Sequence, residues 1–363
     1  MNKLVLLFSV AFCAGGILVG ADSTVIVDAQ SAPTPTPLST RPVLTPTPPV
    51  DDPNEIIKID TELVNVNVRV IDRNNRPINK LQPKDFKILE DGVVQKIDFF
   101  SESEVPTNYA LVIDNSGSLR QQLDKVIEAG KVFVNTNKPE DETMIIRFVG
   151  RDKIEIEQPF TSKKEDLNDA LENLYIEGGQ TAVIDAVYLA AENVAEYEKS
   201  NIAKDRKRRA LILVTDGEDR NSFYNEKQLF ELLRESDVQI YVIGFVDDLS
   251  NDGGFISKSP QAKAKALLER LATETGGKAY FPKTPAELPG LAREISSELR
   301  TQYSIGYIPS NDKRDGTYRA IKVSVEDGPG SQKRIAVARA GRVAEGGQPQ
   351  TAAPKPAPTT KNN

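Results

Sequence analysis

The 363-residue chain has no histidine and no tryptophan, one cysteine and two methionines. The lack of histidine removes the commonest general acid/base and the usual nitrogen ligand for zinc. The one cysteine, Cys13, lies in the first apolar run. Cleavage of that run would leave a mature chain with no disulfide, which suits bacterial export better than a disulfide-stapled animal domain. The Gly-x-x-x-x-Gly-Lys phosphate loop and the Gly-x-Ser-x-Gly nucleophile turn are both absent. No basic excess is present either: the formal charge is -7, which argues against nucleic acid as a partner.

What is there centres on Ala110 to Ser118, ALVIDNSGS. Ala110, Leu111, Val112 and Ile113 are too continuous for a half-exposed strand and predict one buried on both faces. Asp114 falls at its carboxyl end, where open α/β sheets bind ligands. Gly117 is expected to tighten the following turn, with Ser116 and Ser118 projecting hydroxyls back toward Asp114. Hard oxygens on one turn suit a hard cation such as Mg²⁺. Ser118 as a plain helix cap is the bland alternative.

Two further stretches add oxygens. Gly178-Gly179-Gln180-Thr181 leads into an apolar-periodic helix, which puts the Thr181 hydroxyl on a helix-leading loop. Leu211 to Thr215 predicts a second buried strand, ending in Asp216-Gly217. The ordered set Asp114, Ser116, Ser118, Thr181 and Asp216 resembles the metal-ion-dependent adhesion site of von Willebrand factor A domains, matching at every position. The resemblance implies that Ser116 and Ser118 bind Mg²⁺ directly, with Mn²⁺ or Ca²⁺ as alternatives. Asp114, Thr181 and Asp216 would bind directly or through water. It also implies a protein partner that offers an Asp or Glu carboxylate to the ion.

Alternation of strand and helix from Asn108 to about Leu299 predicts an α/β fold with a doubly wound, mostly parallel sheet. Strands are expected at 109–114, 143–148, 153–160, 210–215, 239–245 and 278–281. Helices are expected at 121–135, 163–174, 182–197, 226–235, 261–275 and 285–299. Residues 56–103 and 301–343 read as β segments. The first carries alternating valines from Val64 to Val70 and a hairpin over 84–100, turning at Asp91-Gly92. Neither segment has strands enough for a core of its own, so together they predict an Ig-like β-sandwich flanking the α/β domain, 104–300. The stretches EDGVVQKIDFF and QYSIGYIPSNDKRDGTYRAIKVSV, with the motif core, resemble an exported bacterial VWFA-related family abundant in acidobacteria.

Met1 to Ala21 has Lys3, an apolar run and small residues before Ala21, the pattern of a secretory signal. Left uncleaved it would anchor the chain in a membrane, the only membrane association expected. Residues 22–55 form a Pro/Thr-rich extended linker and 344–363 a disordered tail of similar composition. The expected location is the periplasm, the envelope or outside the cell.

Enzymatic readings find little support. A haloacid dehalogenase-type phosphatase needs a second Asp two residues after its first, and Ser116 stands there. No lysine is tied by spacing to either serine. The expectation is therefore binding without catalysis, against the alternatives of a structural envelope protein stabilised by metal or, less favoured, a hydrolase. Asp247, Asp248, Asn251 and Asp252 with Gly253-Gly254 read as a polar loop rather than an extra Ca²⁺ loop, because the spacing is not that of an EF-hand. Lys204 to Arg209 reads as a solvated helix end.

Overall fold

The computed structural model describes residues 63–102, 105–197, 207–252, 258–344 and 346. The expected secretory segment, Cys13 and the Pro/Thr linker lie outside the described residues, as do nearly all of the C-terminal tail, Lys204 to Arg206 and Gly253-Gly254. Among the described residues no helix is long and apolar enough to cross a membrane.

Six strands make the central sheet: β5 (Thr107–Asp114), β6 (Glu142–Phe148), β7 (Ile154–Thr161), β8 (Arg208–Thr215), β9 (Gln239–Gly244) and β10 (Ala279–Tyr280), in spatial order β10-β9-β8-β5-β6-β7. All neighbours are parallel except β6 and β7, which form an antiparallel edge. The continuous apolar runs explain the layering, since successive side chains of a strand face opposite ways. Ala110, Val112, Leu211 and Leu213 pack against α3 (Val183–Glu196), α4 (Glu226–Glu235) and α5 (Pro260–Thr275). Leu111, Ile113, Ile212 and Val214 pack against α1 (Leu123–Thr136), α2 (Lys164–Glu172) and α6 (Leu288–Arg300). Each such Val, Leu or Ile side chain contributes about 2 kcal/mol on burial. The result is the expected doubly wound α/β architecture.

The flanking strands form two antiparallel sheets. One runs β13-β1-β11-β4 and the other β14-β12-β2-β3. Here β1 is Val64–Ile71, β2 Phe86–Glu90, β3 Val93–Gln95, β4 Phe99–Ser101, β11 Tyr303–Tyr307, β12 Tyr318–Val325, β13 Ile335–Val337 and β14 Gly341–Val343. Val64, Val66, Val68 and Val70 share one core with Phe86, Ile88, Tyr303, Ile305, Tyr307 and Ile321. Each sheet draws strands from both ends of the described chain.

Two details differ from the sequence reading. The second arm of the 84–100 hairpin is not one strand: β3 pairs with β2, whereas β4 pairs with β11 in the other sheet. The chain changes sheets at Lys96 to Asp98, where the Asp98 amide donates to the Gly306 carbonyl at 2.9 Å and the Asp98 carboxylate accepts from the Ile308 amide at 3.1 Å. Two of the polar residues alternating with the β1 valines are buried, Asn67 and Arg69 each being 5% exposed.

Arg69 is buried because α6 covers it: its guanidinium meets the Glu298 carboxylate at 2.5 Å. Glu298 also lies 3.4 Å from Lys278. The buried Arg208 guanidinium donates to the Leu299 and Gln302 carbonyls at 2.5 and 2.6 Å, satisfying groups at the end of α6. Only Thr301 and Gln302 separate α6 from β11. Pro289 sits in the first turn of α6, where its missing N–H costs nothing.

Candidate metal centre

Asp114 ends β5 and is 1% exposed. One carboxylate oxygen accepts from the Ser116 amide at 2.9 Å, the other from the Thr215 hydroxyl at 2.6 Å. Thr215 is the last residue of β8, the parallel neighbour of β5, so the sheet itself sets this contact. The same hydroxyl accepts from the Gly217 amide at 3.0 Å. The Ser116 and Ser118 hydroxyl oxygens lie 2.8 Å apart.

Asp216 follows Thr215 directly, and its carboxylate accepts from the Glu218 amide at 2.9 Å. Gly217 has φ +79°, and a Cβ there would lie 2.7 Å from Leu268 Cδ1. Both facts require glycine. Gly117 is different: its φ is not left-handed and a Cβ would meet nothing, so the turn after Ser116 does not need it.

The Thr181 loop joins the site through its main chain. Its carbonyl accepts from the Arg220 and Asn221 amides at 2.8 and 3.2 Å, tying it to the loop after Asp216. The other end of that loop is held by Asn115. The Glu177 amide donates to the Asn115 carbonyl at 2.9 Å, and Asn115 Nδ2 donates to the Tyr175 carbonyl at 2.5 Å. The structure thus brings Asp114, Ser116 and Ser118 into direct contact and places Asp216 close enough to act on Asp114 electrostatically. Thr181, 5% exposed, stands on a loop laced to both neighbours.

Sequence reasoning missed four residues that organise these loops. Thr215 orients Asp114, and Asn115 anchors the Thr181 loop. Asp185, fully buried in the first turn of α3, accepts from the Phe223 and Tyr224 amides at 2.8 Å each. Asp219 accepts from the Ile184 amide at 3.1 Å and the Ser222 hydroxyl at 2.5 Å, capping α3 from another loop. Thr215, beside an acid at a strand end, was the one with a visible signal.

The electrostatics are unusual for a buried acid. Burial is the main force that pushes the Asp114 carboxyl up to about 6, and the charge of Asp216 pushes the same way. The hydrogen bonds from Thr215 and Ser116 offset this only in part. Two carboxylates and three hydroxyls on converging loops therefore form a site where the anion is held by neutral donors alone. A hard divalent cation, which takes oxygen ligands, fits that donor set. Among the described residues no group of three or more Cys, Asp or Glu side chains is placed to hold a metal, this centre included, since hydroxyls make up most of its oxygens. Asp252 in the loop after β9 does no more than take part in local hydrogen bonds with Ser250.

A model of the von Willebrand factor type A domain matches residues 108–294. An uncharacterised Synechocystis protein is 25% identical over 220 residues, 60% of this chain and 47% of its own length. The chain thus spans about half the length of that curated relative. Among solved structures, an aerotolerance-related membrane protein from Bacteroides fragilis superposes with TM-score 0.41 at 22% identity, over 53% of this chain and 98% of that one. A von Willebrand factor type A protein from Catenulispora acidiphila gives 0.43 at 12% identity, over 78% and 75%. Proximal thread matrix protein 1 from the mussel byssus, described with a zinc-occupied MIDAS motif, gives 0.42 at 19%, over 54% and 48%.

Proposed function

The chain belongs to the von Willebrand factor type A domain family, and from that premise we propose that it is an exported protein-binding module that engages its partner through a divalent metal. Ser116 and Ser118 hold the ion with neutral hydroxyls, and Asp114, Thr181 and Asp216 complete its protein ligands directly or through water. Mg²⁺ is the first candidate, with Mn²⁺ and Ca²⁺ as alternatives. A ligand shell rich in hydroxyl and water leaves the ion's charge incompletely neutralised. A partner's Asp or Glu carboxylate then completes the shell, and the event is binding without turnover. A secretory signal at 1–21 and the Pro/Thr segment at 22–55 would carry the module out of the cytoplasm and extend it from its point of attachment.

The observation that carries this reading is the setting of Asp114, a buried carboxylate beside Asp216 with only neutral hydrogen-bond donors. That setting also favours a second reading, in which the ion only stabilises an envelope protein by relieving the buried charge. Two experiments separate them. Calorimetry of Asp114→Ala and Ser116→Ala should show Mg²⁺ or Mn²⁺ binding lost in folded protein, and undiminished affinity in both would remove the metal site. Pull-downs from envelope extract should lose their partner in EDTA. A partner retained unchanged in EDTA would leave only the stabilising role.

A further inference from the structure

Three large apolar side chains of the α/β unit stand exposed among the described residues: Ile156, Tyr175 and Phe223. Two of them are on the loops that frame the candidate metal centre. Tyr175 is 48% exposed and precedes Thr181 on one loop, and Phe223 is 43% exposed and follows Asp216 on the other. An exposed aromatic ring on a floppy loop signifies little, but these rings are held.

The Tyr175 carbonyl accepts from Asn115, between site residues Asp114 and Ser116. Its ring lies 4.6 Å from the Arg147 guanidinium. Arg147 cannot swing away, because Glu155, Glu157 and Glu177 each take one of its nitrogens. Phe223 is fixed from the opposite side. Its amide donates to the fully buried Asp185 carboxylate at 2.8 Å. Its ring meets Tyr224 edge-on, with centroids 5.3 Å apart, and Tyr224 stacks on Tyr188 at 3.8 Å. Asp185 has no exposed surface, so its two amide bonds serve to set the course of the 219–224 loop.

Rigid, exposed aromatic side chains are the usual anchors of protein interfaces, since their ordering entropy is spent before the partner arrives. Continuity with the metal site identifies what they would meet. We propose that Tyr175 and Phe223 are specificity-determining residues that take apolar side chains flanking the acidic residue bound at the metal. The partner is then a protein segment in which an Asp or Glu has apolar neighbours, not an acidic stretch. This inference rests on the proposed metal-dependent binding.

A displayed library of short peptides with every position randomised tests it, selected in Mg²⁺ on the full chain and on the folded variants Tyr175→Ser and Phe223→Ser. Calorimetry with Mg²⁺ alone should show unchanged metal affinity in both variants, establishing that the site is intact. The expected result is enrichment of an acidic residue with apolar neighbours on the wild-type chain. Each variant should retain the acidic preference while its apolar enrichment falls about tenfold. An acidic preference with polar or acidic neighbours, or apolar enrichment that persists in both variants, overturns the proposal. No acidic preference at all, or one that survives EDTA, overturns the metal-dependent reading beneath it. Variants that lose Mg²⁺ affinity would show that the rings serve the metal loops, also against the proposal.

Discussion

The buried ion pairs at one end of the central sheet contrast with the buried acid at the other. Around the amino ends of the strands, two buried charges meet a partner of opposite sign. Arg69 meets Glu298, and Arg300 meets the buried Asp141 at 3.0 Å, whereas Arg208 beside them has only carbonyl acceptors and burial pushes it down to about 10. At the carboxyl ends, Asp114 is equally buried, yet its donors are an amide and hydroxyls, and its nearest acid is repulsive. The two ion pairs are complete as folded, and Arg69 with Glu298 joins the α/β unit to the sandwich. Asp114 is electrostatically unfinished, and that is where a cation fits.

The largest effect should come from opening a finished pair. Glu298→Ala leaves Arg69 buried without its carboxylate and should cost about 3–5 kcal/mol in urea unfolding. A loss under about 1 kcal/mol would show that water reaches the pair and that the contrast between the ends is weak.

Next is the unfinished end. Asp114 has its folded pKa raised from the ordinary 3.8 to about 6. The folded state therefore holds that proton more tightly than the unfolded chain. Its contribution to stability is complete below about pH 4 and is lost as pH rises through about 6. In EDTA the protein should lose up to about 3 kcal/mol across this window, and Asp114→Asn should remove that loss. Saturating Mg²⁺ should restore stability to wild type alone above pH 6, because it binds the ionised carboxylate. Chemical unfolding at pH 4 and pH 8, with and without metal, measures all three.

A smaller change follows from removing a supporting contact. Thr215→Val deletes the donor to Asp114 and the acceptor for the Gly217 amide. It should cost about 1–2 kcal/mol and weaken Mg²⁺ binding about tenfold in calorimetry. Unchanged metal affinity would mean that Asp114 is oriented by the Ser116 amide alone. The smallest effect belongs to a charge pair at neither end. Lys227, whose ammonium lies 3.7 Å from Glu231 on the surface of α4, should change stability by no more than about 0.5 kcal/mol on replacement by Ala.

How much of this could be read beforehand follows from how local each determinant is. Ala110 to Ile113 and Leu211 to Val214 declare themselves as buried strands, and the acid at each strand end follows from position alone. β1 declared its buried valines but not the fate of Arg69, whose partner Glu298 lies on the last helix of the α/β unit. The break between β3 and β4 was hidden because Val93 to Phe100 mixes polar and apolar residues with no glycine or proline to mark a break, and only the pairing with Gly306 and Ile308 divides it. Asp185 and Asp219 were invisible for the same reason. Their work is to satisfy amides on a different loop or helix, and nothing in their neighbours' identity reports it.

The pairing of β1 with β11 has a consequence in time. Val66 lies opposite Ile305, so the first described strand must wait for a partner until the whole α/β unit has emerged. During synthesis its four inward valines have no sheet to join. The α/β unit, by contrast, is rich in helices that form from neighbouring residues. Its own folding would bring residues 107 and 300 to the same end of the sheet and so shorten the search between the two flanks. Sandwich closure should then appear as a late kinetic step, slower than formation of the central sheet. A chaperone that shields an extended, valine-rich strand would act in the interval between them.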